Sequence, residues 1–307
     1  MAMDDRPGWL AARRQGIGGS DAAALVACSP FQSVLSLWAN KTGRTPDDVD
    51  TQRHRWGRRY EAPILDEYAF VSGHRVADQS EAVPDRLAQI APGHMMLRHP
   101  DATAMIGNTD GIVIGDPAGL RVIDAKTVEG WMFGDWLKAG RPPLYILVQL
   151  THYMIISGLS HATVAAFTGL SDPLYVFEFE LDTGFAARLM EAEDTFWRRY
   201  VVADQQPPAD TSEATAKALR KIYPKDNGRL IQLTGPATEW AADFDDLTAE
   251  IKVLDAKREQ AKTMLMAALG DAAAGELPDG SGFTYKTGAR GRSLRRAGEK
   301  ALRKFQP

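Results

Sequence analysis

The sequence predicts an α/β fold followed by a helical C-terminal extension, and three observations carry that prediction. Before Gln205, helical and strand-like segments alternate along the 307-residue chain. Among them, Ile112-Val113-Ile114 and Leu120-Arg121-Val122-Ile123 are apolar, largely β-branched runs. They flank Asp116-Pro117-Ala118-Gly119, a turn sequence with Asp first, Pro second and Gly last. After Gln205-Gln206-Pro207-Pro208 the character changes. Residues 239–269 are rich in Ala, Leu, Glu, Lys and Met, with Trp240, Phe244, Leu247, Ile251 and Leu254 at three- and four-residue spacing, the pattern of an amphipathic helix ended by Gly270. Gly280-Ser281-Gly282 then precedes Phe283-Thr284-Tyr285, which reads as a short strand leading into a basic tail. Two regions follow from this: a mixed domain over 1–205 and an extension over 206–307.

Composition sets the limits. With 44% hydrophobic and 25% charged residues, the chain has the makings of a sizeable core, which excludes pervasive disorder and collagen-like structure. Cys28 is alone, so no internal disulfide supports the fold. The apolar stretch Leu144–Leu159 is broken by Gln149, Thr151 and His152, and Met1–Arg14 has no apolar signal core. The expectation is a soluble, cytoplasmic protein without a membrane span. No internal repeat points to a solenoid. A net charge of −4 excludes a uniformly basic coat but leaves room for a local basic groove. Two basic clusters stand out. Lys286, Arg290, Arg292, Arg295, Arg296, Lys300, Arg303 and Lys304 are set against Glu299 alone, and Arg53, Arg55, Arg58 and Arg59 precede Glu61. Either is also what a solvated face or tail looks like.

Taken in order, Trp9 to Arg13 reads as helix, followed by Gly16-Ile17-Gly18-Gly19-Ser20-Asp21 and a second helix from Ala22, capped by Ser20 or Asp21. A dinucleotide loop needs a strand before its glycines, so that site is excluded. Free N–H groups at a helix start attract anions, and with Arg13 and Arg14 upstream the natural guest is a phosphate; the segment also reads as a capped helix after a tight turn. Trp56, Tyr60, Ile64 and Tyr68 share a four-residue period, predicting a helix that presents Glu61 near its buried face and that Pro63 begins or kinks. Folded about the 116–119 turn, the hairpin brings Asp110 beside Asp124 and Ala125, while the period of two puts Asp124 and Lys126 on one face. Paired carboxylates hold Mg²⁺ and a lysine offsets developing negative charge, which is phosphodiester chemistry. A surface Asp–Lys pair at a strand end is the plainer alternative. His54, His74, His94, His99, His152 and His161 lack the spacing of a zinc site, and no Gly-x-Ser-x-Gly elbow offers a serine nucleophile. Trp131, Phe133 and Trp136 are expected to pack in a core or lid, with stacking on a base as their other use.

Together these segments resemble the YqaJ / lambda-exonuclease family of viral recombination nucleases, which share the PD-(D/E)XK nuclease fold. The resemblance runs over roughly residues 9–170. Arg13 with Gly16–Asp21, then Ser29-Pro30-Phe31 and Leu37-Trp38 through Lys41-Thr42-Gly43, is similar to the family's N-terminal signature. Gly57–Glu61 resembles its helix-borne glutamate, Thr109-Asp110-Gly111 its first metal aspartate, Asp124-Ala125-Lys126 its acid-x-Lys motif, and Tyr145–Gln149 its glutamine motif, continuing into Tyr153-Met154. The chain departs from the pattern twice, with Asp124 where glutamate is commoner and Thr109 where the fold's name expects proline.

The resemblance implies a mixed central sheet flanked by helices. It implies that Asp110, Asp124 and the main-chain carbonyl of Ala125 bind Mg²⁺, for which Mn²⁺ would substitute, and that Glu61 reaches the metal through a water. Lys126 would position the attacking water, Gln149 would support the water or the scissile phosphate, and Arg13 and Ser20 would sit near a terminal 5′ phosphate. The implied reaction is 5′-to-3′ hydrolysis of double-stranded DNA from its ends, leaving 3′ single-stranded tails, in partnership with a single-strand annealing protein and by a ring trimer. An endonuclease of the same fold and a non-catalytic DNA-binding scaffold are the alternatives. Residues 206–307 lie beyond the resemblance; their basic tail offers phosphate contacts, and their long helix a face for an annealing protein or a neighbouring subunit.

Overall fold

The computed structural model describes residues 6–46, 49–289 and 291–305. The chain divides into two compact units, one ending at Asp226 and the other beginning at Asn227. In the first, α1 (Arg6–Arg13), α2 (Gly19–Leu25), α3 (Val34–Lys41) and α4 (Gln52–Ser72) precede β1 (Arg75–Ala77), α5 (Gln79–Ala82), β2 (Leu87–Ala91), β3 (His94–Arg98) and β4 (Ile106–Gly107). Then come β5 (Gly111–Ile114), β6 (Arg121–Thr127), α6 (Gly130–Ala139), α7 (Leu144–Ser157), β7 (His161–Phe167), β8 (Tyr175–Glu180), α8 (Thr183–Phe196), a π-helical turn (Trp197–Val202) and α9 (Glu213–Ile222).

The main sheet has the order β1-β5-β6-β7-β8, antiparallel except for the parallel pair β6–β7. Parallel neighbours need a crossover, and α6 and α7 supply it. A strand buried on both faces carries apolar residues in succession, and Ala162–Ala166 in β7 are all buried. On one face, residues of α7 pack with Val122, Ala162, Val164 and Ala166; on the other, Ile64 and Tyr68 of α4 pack on Val113, Ile123 and Ala165. This is the expected α/β architecture, a mixed sheet between helices. A smaller sheet, β2-β3-β4, carries Ile90, Met96 and Ile106 against Ala12 of α1, and Ile17 forms a parallel bridge to Met105.

The hairpin forms about the expected turn, which Gly119 N–H closes on the Asp116 carbonyl at 2.9 Å. Its ladder pairs Gly111 with Ile123, Ile112 with Val122 and Val113 with Arg121, a register that carries Asp110 to Asp124 and Ala125 as expected. Other expectations are corrected. Pro63 does not begin a helix but sits within the 21-residue α4. The second N-terminal helix starts at Gly19, one turn before Ala22, with Gly18 as its cap residue; Asp21 reaches back to accept from Gly18 N–H at 3.0 Å.

The boundary placed at 205 moves to 226, because α9 belongs with the first unit, where Thr215 Oγ1 donates to Ser33 Oγ at 2.7 Å. The extension is not wholly helical, and its basic stretch is no tail. In the second unit α10 (Pro236–Leu269) is followed by β9 (Ala274–Glu276), β10 (Gly282–Gly288), β11 (Gly291–Ala297) and α11 (Glu299–Leu302), the strands forming one antiparallel sheet in the order β11-β10-β9. Alternation explains the strands: Phe283 faces Arg296 and Tyr285 faces Leu294 across the ladder. Arg292 donates to the carbonyls of Gly270, Ala272 and Tyr285 at 2.6–3.2 Å, tying the end of α10 to the sheet. Arg290 lies outside the described residues. Among the described residues, no helix is long and apolar enough to cross a membrane.

Candidate active site

The centre of the site is the end of β6. The β5–β6 ladder stops at Gly111–Ile123, and the Asp110 carboxylate takes the next free donor, accepting from Ala125 N–H at 2.8 Å. Gly111 permits this arrival, since a Cβ there would lie 2.5 Å from Val76. Asp124 and Lys126, two apart on β6, share a face: Lys126 Nζ is 2.5 Å from Asp124 Oδ2 in an ion pair. Asp124 is 1% exposed. Its other oxygen accepts from Gln149 Nε2 on α7 at 3.2 Å, and the same amide lies 3.3 Å from the Tyr153 hydroxyl one turn on.

Electrostatics binds these groups together. Burial, then the charge of Asp124, pushes the Asp110 carboxyl up to about 8. Burial works to lower the Lys126 ammonium, but Asp124 and Asp110 outweigh it and hold it above its ordinary value. Glu61, on α4 across the sheet, is raised by partial burial and then by the charge of Asp124, which brings it into the same field. The Tyr153 hydroxyl is raised first by burial and then by the two aspartates. Sequence reasoning had quoted Tyr153 only as part of a motif; its spacing of four from Gln149 on a helix was the signal for a shared face.

Which residues could hold a metal follows from the donors. Among the described residues no three carboxylate, imidazole or thiol side chains close around one point. The set on offer is two aspartates and the main-chain oxygen of Ala125, all hard oxygens. Mg²⁺ suits such a set, because it takes one or two protein carboxylates and keeps several waters. Burial first, and the charge of Asp124 second, disfavour an ionised Asp110, and a divalent cation would offset both.

The glycine loop borders this centre. A Cβ on Gly19 would lie 2.7 Å from the Tyr153 ring and 3.1 Å from Gln149, so the start of α2 lies directly on the residues that hold Asp124. Arg13 Nη2 contacts Ser20 Oγ and pairs with Asp21 at 3.1 Å. Asp21 is buried and also pairs with Lys41 at 2.7 Å; Lys41 in turn donates to the Arg13 carbonyl at 2.9 Å. Burial raises the Asp21 carboxyl, but Lys41 and Arg13 overcome it and set the group well below the carboxylate range. Burial lowers Lys41 despite Asp21. One carboxylate thus answers two cations, and the cluster keeps positive charge at Arg13. The sequence offers Asp21 as a helix cap and Lys41 only as a motif member; a buried charge pair leaves no periodic signal.

Asp110, Asp124, Lys126 and Gln149 are thus brought together, Glu61 is linked to them through the charge of Asp124, and Arg13 and Ser20 meet beside them. Phe133 and Trp136 are core residues against Tyr175 and Phe177, whereas Trp131 is 77% exposed and donates to Glu129 at 2.6 Å. His152 is buried between Glu193, at 2.9 Å from Nδ1, and the Ile106 carbonyl, at 3.0 Å from Nε2, which joins α7 to α8 and β4.

Residues 8–160 match the family model described as the YqaJ-like viral recombinase domain. The chain is 26% identical over 275 residues to the uncharacterized protein YqaJ of Bacillus subtilis, covering 89% of this chain and 80% of that one. Among solved structures it is similar to the alkaline exonuclease LHK-Exo from Laribacter hongkongensis, with TM-score 0.50 and 17% identity over 64% of this chain and 92% of that chain. It is equally similar to LHK-Exo in complex with dAMP, with TM-score 0.50 and 18% identity at the same coverage. At such identity the likeness shows a shared fold. Residues 8–160 therefore form a YqaJ-like viral recombinase domain.

Proposed function

We propose that the protein is a metal-dependent deoxyribonuclease that degrades double-stranded DNA from its ends, 5′ to 3′, leaving 3′ single-stranded tails. The observation that carries this reading is the convergence of Asp110, Asp124, Lys126 and Gln149 at the end of one strand, with Asp124 buried. A structural ion pair would need neither the second aspartate nor the glutamine. The printed names of the relatives, a recombinase domain and an alkaline exonuclease, agree with it.

Mg²⁺, or Mn²⁺ in its place, held by Asp110, Asp124 and the Ala125 carbonyl, supplies positive charge against a phosphoryl group. The rest is work for the chain's own side chains. The Lys126 ammonium, held by Asp124, orients a water against the phosphorus and offsets the charge that develops. Gln149 fixes Asp124 with its amide, and Glu61 adds an acceptor from the opposite face. Arg13 and Ser20 meet a terminal 5′ phosphate one helix start away, where Lys41 has already answered part of the Asp21 charge. That phosphate cradle beside the cleavage centre supports both end dependence and 5′ polarity.

The test is digestion of 5′-phosphorylated linear duplex against a covalently closed circle, in Mg²⁺ and in EDTA. Loss of the linear form alone, in Mg²⁺ alone and with 5′ nucleotides released, is the expected outcome. Cutting of the circle assigns an endonuclease. Binding without turnover of either substrate leaves a DNA-binding scaffold.

A further inference from the structure

Helix α10 is 34 residues long, about 50 Å, and none of its residues is buried. Trp240, Phe244, Leu247, Ile251 and Leu254 are each 57–69% exposed. Their spacing of four, three, four and three is that of alternate core positions in a heptad, continued by Arg258, Ala261, Leu265 and Ala268. A contiguous apolar stripe of that length on a water-facing helix marks an interface. We infer that α10 pairs antiparallel with α10 of a second copy of this chain, forming a two-fold-symmetric coiled coil.

The occupant and its direction follow from charge. The first half of the helix, 236–250, carries Glu239, Asp243, Asp245, Asp246 and Glu250 and no basic residue. The second half carries Lys252, Lys257, Arg258 and Lys262 against Asp255 and Glu259. A helix with an acidic first half and a basic second half is complementary to itself only head to tail. Parallel, in-register pairing would set Glu250 against Asp255 of the partner subunit, Lys257 against the partner's Lys262, and Arg258 against the partner's Arg258 in a core layer. Each of these is a repulsion.

Antiparallel pairing with the two helices fully overlapped, Pro236 level with the partner's Leu269, removes all three. Ile251 then meets the partner's Leu254, Leu247 lies against the stem of the partner's Arg258, and bulky Phe244 lies opposite the partner's Ala261. Trp240 reaches the turn carrying the partner's Leu265. The flanking positions place Glu250 beside the partner's Lys257, and the two-fold axis repeats that pair. Among the described residues neither Glu250 nor Lys257 has an ion-pair partner in its own chain, whereas Arg258 and Lys262 do. Sliding one helix by a heptad in either direction brings Glu250 onto itself or Lys257 onto itself. The overlap that uses the whole helix is thus also the one free of like-charge contacts.

The experiment is sedimentation of the full-length protein over a range of concentrations, with variants on this face and no readout of cleavage. The native chain is expected to self-associate in twos through this helix, and Leu247→Glu with Ile251→Glu to abolish that step. Glu250→Lys alone or Lys257→Glu alone should weaken it about tenfold, and the double exchange should restore it. A native chain that stays monomeric, or association untouched by the Leu247 and Ile251 variants, overturns the inference. Single exchanges that strengthen association overturn the antiparallel direction, because in a parallel pair each would relieve a repulsion.

Discussion

Gly19 has no side chain because the Tyr153 ring stands where one would go. Gly19→Ala forces α2 and α7 apart against that ring, and the expected cost is about 1–3 kcal/mol in urea unfolding, accompanied by slower cleavage as Gln149 shifts from Asp124. Lys126→Ala and Asp124→Asn should both abolish cleavage in Mg²⁺ while leaving the circular dichroism spectrum of the native protein; native rates in either would sink the site assignment. His152 makes a pH prediction. Burial lowers its ring, but Glu193 outweighs burial and raises it above the ordinary value. Because the folded value is the raised one, the stabilisation is complete below about 6.5 and is lost as pH climbs through the folded value. Unfolding midpoints measured between pH 6 and 9 should therefore fall with pH in the native protein, and the fall should flatten in Glu193→Gln. At this scale the sequence was most legible where spacing dictates a shared face, as for Asp124 and Lys126. It was least legible for Asp21–Lys41 and His152–Glu193, whose partners are brought together only by the tertiary fold.

Strands are where sequence reading and structure part most clearly. Runs of β-branched residues announced β5 and β6, and a three-four spacing announced α10, because each pattern is set within a few residues. Of the pair β10–β11 only the start of β10 was legible, in Gly280-Ser281-Gly282 before Phe283-Thr284-Tyr285; β11 was hidden by its charge, since Arg292 and Arg296 flank Leu294 on the face that Phe283 and Tyr285 share, while Lys286 and Arg295 lie on the other. This hairpin carries its own prediction. Arg292 is spent on main-chain carbonyls and Arg296 on Ser281, whereas Lys286 stacks over Phe305 and Arg295 is exposed. If the hairpin contacts DNA phosphates, Lys286→Ala and Arg295→Ala should each lower the slope of log affinity against log salt by about one, without changing the cleavage rate at saturating DNA. An unchanged slope in both removes the hairpin from the DNA interface.

The chain as a whole falls into two units joined by a stretch, 227–235, that is exposed and without helix or strand. Leu230 is 99% exposed beside Arg229, so limited trypsin digestion should cut there first and yield two protected fragments; persistence of the intact chain would show that the stretch is covered in solution. Within the first unit, the ends of the fold are tied across long spans of chain. Ser33 is bonded to Thr215, the Trp38 indole to the Tyr200 carbonyl, and His152 to Glu193. The residues proposed for cleavage occupy the middle of that order, from Glu61 to Gln149. A nascent chain stopped at residue 190 would therefore possess every cleavage residue and lack the late segments that lock α3 and α7 in place, so competence is reached only near the end of synthesis. For an enzyme proposed to consume DNA in the cell that makes it, the order of residues along the ribosome then acts as a delay, keeping the half-made molecule harmless.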